Sequence, residues 1–347
     1  MSVYEIIAKK QGRADGTVIP RNITLLIRNV KKVVEAHKIS VGNFARFTQG
    51  EQGMKSNEYG CADAANILYT IGEFPGDVEE RKIWVEVLQN MQEETTGLFR
   101  EATHFPLHTT AHCISALELF DALPKYKLTG LDVYKTKEGL YELLESLEWK
   151  KSPWNNSHMG AGIYAALNVA GEATPEWNRW YFDWFWKESD PETGLWRAGY
   201  VDKEDPNVFR HMAGSFHYLF NHEYARKPLR YPEKMIDTCL YMYEKNYLLD
   251  TFGQRANFIE MDWVYCITRA LRQCGHRYEE CVETLLDFAD KYLDFLMSVD
   301  PDNSLAFDDL HRVFGVMCCV AELQQFLTGY IYTEKPLKLV LDRRPFI

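Results

Sequence analysis

Two kinds of apolar segment alternate along the chain. The first kind is amphipathic. Ile23, Leu26, Ile27, Val30, Val33 and Val34 recur at helical spacing, with Asn22 as the expected N-cap. The pattern returns from Asp77 to Met91, where Asp77 and Glu80 make a capping-box-like start. It returns from Thr136, with Leu140, Leu143, Leu144 and Leu147, and from Thr174, a cap followed by Pro175 at the first helical position. The last two copies open at Pro232 and run from Cys281 to Leu296. Their other faces are charged, so these helices are expected outside.

The second kind is small and apolar nearly all round, the mark of a buried helix. It spans Cys61–Gly72, Thr109–Phe120, His158–Gly171, His211–Tyr224, Met261–Gly275 and His311–Phe326. Aligned at Ala62, Ala111, Ala161, Ala213, Trp263 and Phe314, these segments repeat at steps of about 49 to 52 residues. A helical hairpin cannot bury its inner member alone, and closing six of them into a ring leaves no end exposed. The expectation is therefore all-α: an (α/α)6 toroid of six outer/inner hairpins, forming one domain over 1–347, with an extended tail over 330–347.

This layout resembles the (α/α)6 toroids of the six-hairpin glycosidases, several polysaccharide lyases, sugar epimerases and terpenoid-cyclase-like proteins. The resemblance covers roughly Asn22 to Thr328. It rests on the repeat and on the turn Thr96–Phe99 (TGLF), preceded by Gln92 and echoed as TGLW at Thr193–Trp196, where Lys187 and Glu188 precede and no Gln does. It implies a carbohydrate-active enzyme, although one fold hosts many chemistries.

Composition narrows the partners. Length alone, 347 residues, would suggest two domains, which the repeat overrides. A net charge of −11 without a basic stripe argues against nucleic acid. No apolar run reaches a membrane span, and the first residues lack an export-signal pattern, so a cytoplasmic location is expected. Eight cysteines, mostly inside apolar helical stretches, read as reduced core thiols. Aromatic residues at 14% serve a core or a sugar-stacking cleft equally well.

Loop lengths select a face. The expected loops from outer to inner helix, such as Gly42 to Gly60, Thr95 to Leu107 and Ser189 to Phe209, exceed most return turns. The inner-helix N-termini meet on that face and favour an anionic or polyhydroxylated ligand. Seven of the ten histidines lie there: His104, His108, His112, His158, His211, His217 and His311.

Catalytic candidates are Asp63 and Asp262 as paired carboxylates, with His108, His211 and Tyr59. Substrate-binding candidates are Glu58, His104, Trp154, Asn156, His158, Trp196, Arg210, His217, Glu260, Trp263 and Asp308. His108 and His112 are spaced to chelate a metal on a helix face, but no HExxH motif accompanies them, so neither metal nor cofactor is expected. The leading expectation is a carbohydrate-active enzyme that hydrolyses a small oligosaccharide or glycoside, acidic or neutral, across the Asp63–Asp262 pair in a cleft at the inner-helix N-termini. Three alternatives stay open. One is a lyase or epimerase working on a uronate-like sugar through a His or Tyr base, with Arg210 and Asn156 on the carboxylate. The others are a toroid enzyme for an isoprenoid alcohol and a non-catalytic sugar-binding protein. The sequence leaves the oligomeric state open.

Overall fold

The computed structural model describes residues 1–302 and 304–347. The chain is all-α apart from pairs of very short strands. Its helices are α1 (Val3–Lys10), α2 (Thr24–Ala36), α3 (Glu58–Thr70), α4 (Val78–Asn90), α5 (Pro106–Glu118), α6 (Lys137–Ser146) and α7 (Pro153–Val169). They continue as α8 (Pro175–Lys187), α9 (Phe209–Tyr224), α10 (Pro232–Glu244), α11 (Ile259–Cys274), α12 (Tyr278–Ser298), α13 (Leu310–Phe326) and α14 (Val340–Arg343).

The odd-numbered helices from α3 to α13 are the small, apolar set. Each packs on the next, and α13 packs back on α3. The even-numbered helices α2 to α12 bury one stripe only, as their amphipathic patterns require. This cyclic order is compatible with a helical toroid. Among the described residues no helix is long and apolar enough to cross a membrane.

Local chemistry sets the helix starts. Asp77, Thr136 and Thr174 each accept a backbone N–H of the first turn. At α2 the start lies one residue later than the sequence suggests: Ile23 takes the cap position, and Asn22 Oδ1 instead accepts from Thr24 N. The third outer-to-inner connection also differs from expectation. It is the short segment 147–152, not a long loop.

The two TGL turns are structural equivalents. Gly97 N donates to Glu93 O, and Gly194 N donates to Asp190 O. Both glycines have φ near +70°, and a Cβ at Gly97 would stand 2.0 Å from the Lys127 carbonyl oxygen. Gln92 staples the first turn through Gly97 O and Tyr126. The residues that follow, Phe99 and Trp196, donate their backbone N–H to Thr110 and Ser215 of the inner helices.

The tail is partly extended. Ile331–Tyr332 pairs in parallel with Arg21–Asn22. Beyond it the chain turns inward at the C-terminal ends of the inner helices. Lys338 N bonds Thr70 O, Asp342 meets Arg269, and Arg343 meets Glu118 and Asp121. Arg269 is itself buried on Glu322. Phe346 then packs on His108 and Phe220, with ring centroids at 4.8 and 5.5 Å. The segment thus packs against several of the inner helices. All eight cysteines are free thiols, as the sequence suggests.

Candidate functional site

A cavity of about 140 Å³ opens at the N-terminal ends of α5, α7, α11 and α13, on the face that the sequence singles out. Its lining is His104, His108, Trp154, Asn155, His158, His217, Phe258, His311 and Ile347. Five of these nine residues are histidines. Spacing produces this crowding: His104, His108 and His112 are four residues apart, so their rings stack along one face of α5 and the turn before it. Tyr59 of α3 lies flat against His104 and His112 at 4.5 and 4.9 Å. His158 of α7 stands 4.3 Å from His108 and 5.0 Å from His217 of α9, by ring centroids.

The hydrogen bonds assign tautomers. Asp63, fully buried on α3, accepts from His112 Nε2 at 2.8 Å and from His311 Nδ1 at 3.1 Å. A carboxylate only accepts, so His311 carries its proton on Nδ1, and its bare Nε2 is the nitrogen free for chemistry. Ser157 gives its proton to Trp154 O, so it accepts Nδ1–H of His217 at 2.9 Å, and His217 Nε2 is bare too. Thr103 gives its proton to Glu101, and its Oγ1 accepts from His104 Nδ1 at 2.7 Å. The Tyr59 hydroxyl bonds His108 Nδ1.

Burial disfavours protonation of His104, His108, His112, His158 and His217. Desolvation lowers the basicity of His108 and His158 far below the usual imidazole range, and the neighbouring histidines reinforce it. His217 is brought down to about 3 and His112 to about 4 by the same burial, the latter against the pull of Asp63. Burial opposes ionisation of Asp63, but His311 and His112 outweigh it and hold the carboxyl below its ordinary range. Arg46 lies nearby with its charge committed: it grips Asp309 through Nε and Nη2 at 2.8 and 3.0 Å.

The sequence-derived candidates divide. His104, His108, Trp154, His158 and His217 line the cavity, and Tyr59 and Asp63 stand directly behind its histidines. Asp262 is fully buried on α11 and lines no part of the cavity, and among the described residues its carboxylate has no hydrogen-bond partner. Burial raises it well above the carboxylate range, and Glu260 beside it is pushed up to about 7. Glu260 accepts from Gly253 N.

Trp196 and Trp263 are core side chains, with indole N–H groups on Phe185 O and Cys239 O. Asn156 bonds Glu148 N and Ser152 O, and Asp308 bonds Thr48, so both hold loops. Arg210 is exposed beside Phe209. His211 is largely buried, with Nδ1 unpartnered, and does not line the cavity. Glu58 is half-buried, and desolvation raises its carboxyl.

Sequence reasoning did not pick Asn155, Phe258 or Ile347 as site residues, placed His311 on the face without a role, and weighed His112 only as a metal ligand paired with His108. The fourfold spacing of His104, His108 and His112 was the available signal for the last of these. Comparison with protein-family models, with curated proteins and with solved structures returns no match.

Proposed function

We propose that the chain is an (α/α)6 toroid enzyme that moves a proton on a small, uronate-like substrate, as a lyase or epimerase does, with His311 as the base. The observation that carries this is the Asp63–His311 pair: a buried carboxylate accepts Nδ1–H of a cavity-lining imidazole, which leaves Nε2 of the neutral ring as its basic nitrogen. In the proposed step, Nε2 takes the proton from the carbon next to the substrate carboxylate. The released electron pair moves onto that carboxylate as an enediolate. It then either expels the oxygen substituent one carbon further on, giving an unsaturated acid, or takes a proton on the opposite face. His104, held at Nδ1 by Thr103 and Glu101, takes a solvent proton on Nε2 and delivers it to the opposite face of the carbon or to the expelled oxygen.

An acidic substrate is favoured by four helix N-termini converging on a cavity lined by no carboxylate side chain. The small volume favours a short ligand over a polymer segment. Hydrolysis by paired carboxylates has less support, because Asp63 is saturated by two imidazoles and Asp262 lies away from the cavity.

The test is a panel of uronic acids and their disaccharides, followed by absorbance of unsaturated uronates and by chromatography of epimers. Wild-type turnover should fall by about 10²–10⁴ in His311→Asn and stay unchanged in Asp262→Asn. Release of reducing sugar that survives His311→Asn and dies in Asp262→Asn would restore the hydrolase reading.

A further inference from the structure

We propose that His108, His158 and His217 form a three-histidine site for one divalent transition-metal ion, of which zinc is the best match. No local spacing announces it, because the ligands come one each from α5, α7 and α9. The ring packing of these three consecutive inner helices brings them together.

One ring nitrogen from each residue lies within 4.8 Å of the other two. Some point lies within about 2.8 Å of all three atoms so spaced, and a zinc–imidazole bond is about 2.0–2.1 Å. Each ring therefore closes by less than about 1 Å, within reach of small χ rotations. No backbone rearrangement is required.

The surrounding bonds already orient two of the ligands. Ser157 holds Nδ1 of His217, and the Tyr59 hydroxyl meets Nδ1 of His108, which leaves both Nε2 atoms available. This is the outer-shell pattern that metal-binding imidazoles require. An all-imidazole donor set suits zinc, copper, nickel or iron and not magnesium or calcium. Three protein ligands facing an open cavity leave a fourth position for water or substrate, as in catalytic zinc sites.

The other close group, Asp63 with His112 and His311, is a different case. Both imidazoles already spend an N–H on the carboxylate, and that arrangement serves the base.

The inference deepens the proton-transfer reading in one respect and rests on it only for the role of the ion. A substrate carboxylate at this cavity needs a positive partner, and the cavity lining contains no lysine or arginine. A bound cation supplies that charge and stabilises the enediolate.

The experiment uses the full chain without a polyhistidine tag, stripped with chelator, titrated with Zn²⁺ and with Co²⁺. Calorimetry and elemental analysis should give one ion per chain, and the cobalt form should show the intense visible bands of a low-coordinate nitrogen site. His158→Ala and His217→Ala should each weaken binding by more than about 100-fold, and Ser157→Ala by about 10–100-fold at unchanged stoichiometry. Circular dichroism checks that each variant is folded, and His158→Gln serves as a milder second substitution if His158→Ala is not. His311→Asn should keep the metal. Absence of stoichiometric binding, or binding unchanged in a folded His158→Ala, His217→Ala double variant, overturns the site. Metal retained by a His311→Asn variant with full turnover would leave the site standing and remove the proposed base.

Discussion

Asp63→Asn perturbs the centre of the site at constant size. Asp63 has no solvent exposure and accepts two imidazole N–H bonds, at 2.8 and 3.1 Å. Each bond to a buried charged acceptor is worth about 1.5–3 kcal/mol, against about 1 kcal/mol for a neutral one. An amide accepts through one oxygen and offers N–H groups on the other side, so one imidazole must shift its proton or lose its partner. Part of the loss is offset because a buried charge is removed, although Arg46 and Arg344 lose its attraction. The net cost is about 2–4 kcal/mol. For a 347-residue chain the unfolding entropy is about 0.7 kcal/mol per degree, so Tm should drop by about 3–6 °C.

The more specific consequence is chemical. His311 should move from a single Nδ1–H tautomer to a mixture with the proton on Nε2, which occupies the lone pair that acts as base. Nitrogen-15 NMR of the imidazoles reads this without any substrate, and calorimetry reads Tm. An unchanged His311 tautomer together with an unchanged Tm would refute the reasoning. A lower Tm with the tautomer intact would reduce Asp63 to a packing partner.

Three further outcomes follow from the same geometry. Trp154→Ala, at the cavity, should weaken ligand binding and leave Tm nearly unchanged, whereas Trp196→Ala should cost about 3–5 kcal/mol by differential scanning calorimetry, because its ring is in the core. Arg269→Ala strips Glu322 of its two-pronged partner, leaving it only the Thr268 hydroxyl and the longer Arg272 contact, and releases Asp342, so stability should fall by up to about 3–5 kcal/mol and limited proteolysis should cut sooner near α14. On pH, His112 and His217 titrate in the folded chain at about 4 and 3, below their unfolded value of 6.5. Their contribution is complete above pH 6.5 and is lost on acidification toward 4, at up to about 1.4 kcal/mol per pH unit for each residue. Glu260 acts oppositely: its folded value is about 7, so its contribution is present below 4.5 and lost as pH rises through 7. Chemical denaturation from pH 4 to 8 should therefore show stability rising with pH between about 4.5 and 6.5, and a Glu260→Gln variant should rise more steeply.

Much of the helix layout was legible because apolar period and cap chemistry are local. Thr174-Pro175 and Asp77 mark their helix starts on sequence alone, and the alternation of amphipathic with all-apolar segments separates outer from inner helices. The face that bears the cavity was legible for a similar reason: inner-helix N-termini and histidines coincide in sequence. What was hidden is rotation about each helix axis. His211 and His217 are both on α9 and both buried, yet only His217 reaches the cavity. Asp63 and Asp262 share a residue type and a buried inner helix, but one meets two histidines and the other meets none. Trp196 reads as a platform until its turn is matched with that of Phe99, which shows it to be a core residue. The tail could not be placed, since its packing on Arg269, Phe220 and His108 is entirely long-range.

The central claim is that a histidine base at this cavity moves a carbon-bound proton. Its most direct test is incubation of glucuronate, galacturonate and their disaccharides with the wild-type chain in D₂O, with recovered acid and product analysed by mass spectrometry. The account predicts deuterium on the carbon next to the carboxylate of recovered substrate or epimer, or an unsaturated product lacking that hydrogen, and neither with folded His311→Asn. Cleavage that leaves every carbon-bound hydrogen in place and adds solvent oxygen at the glycosidic carbon would contradict it.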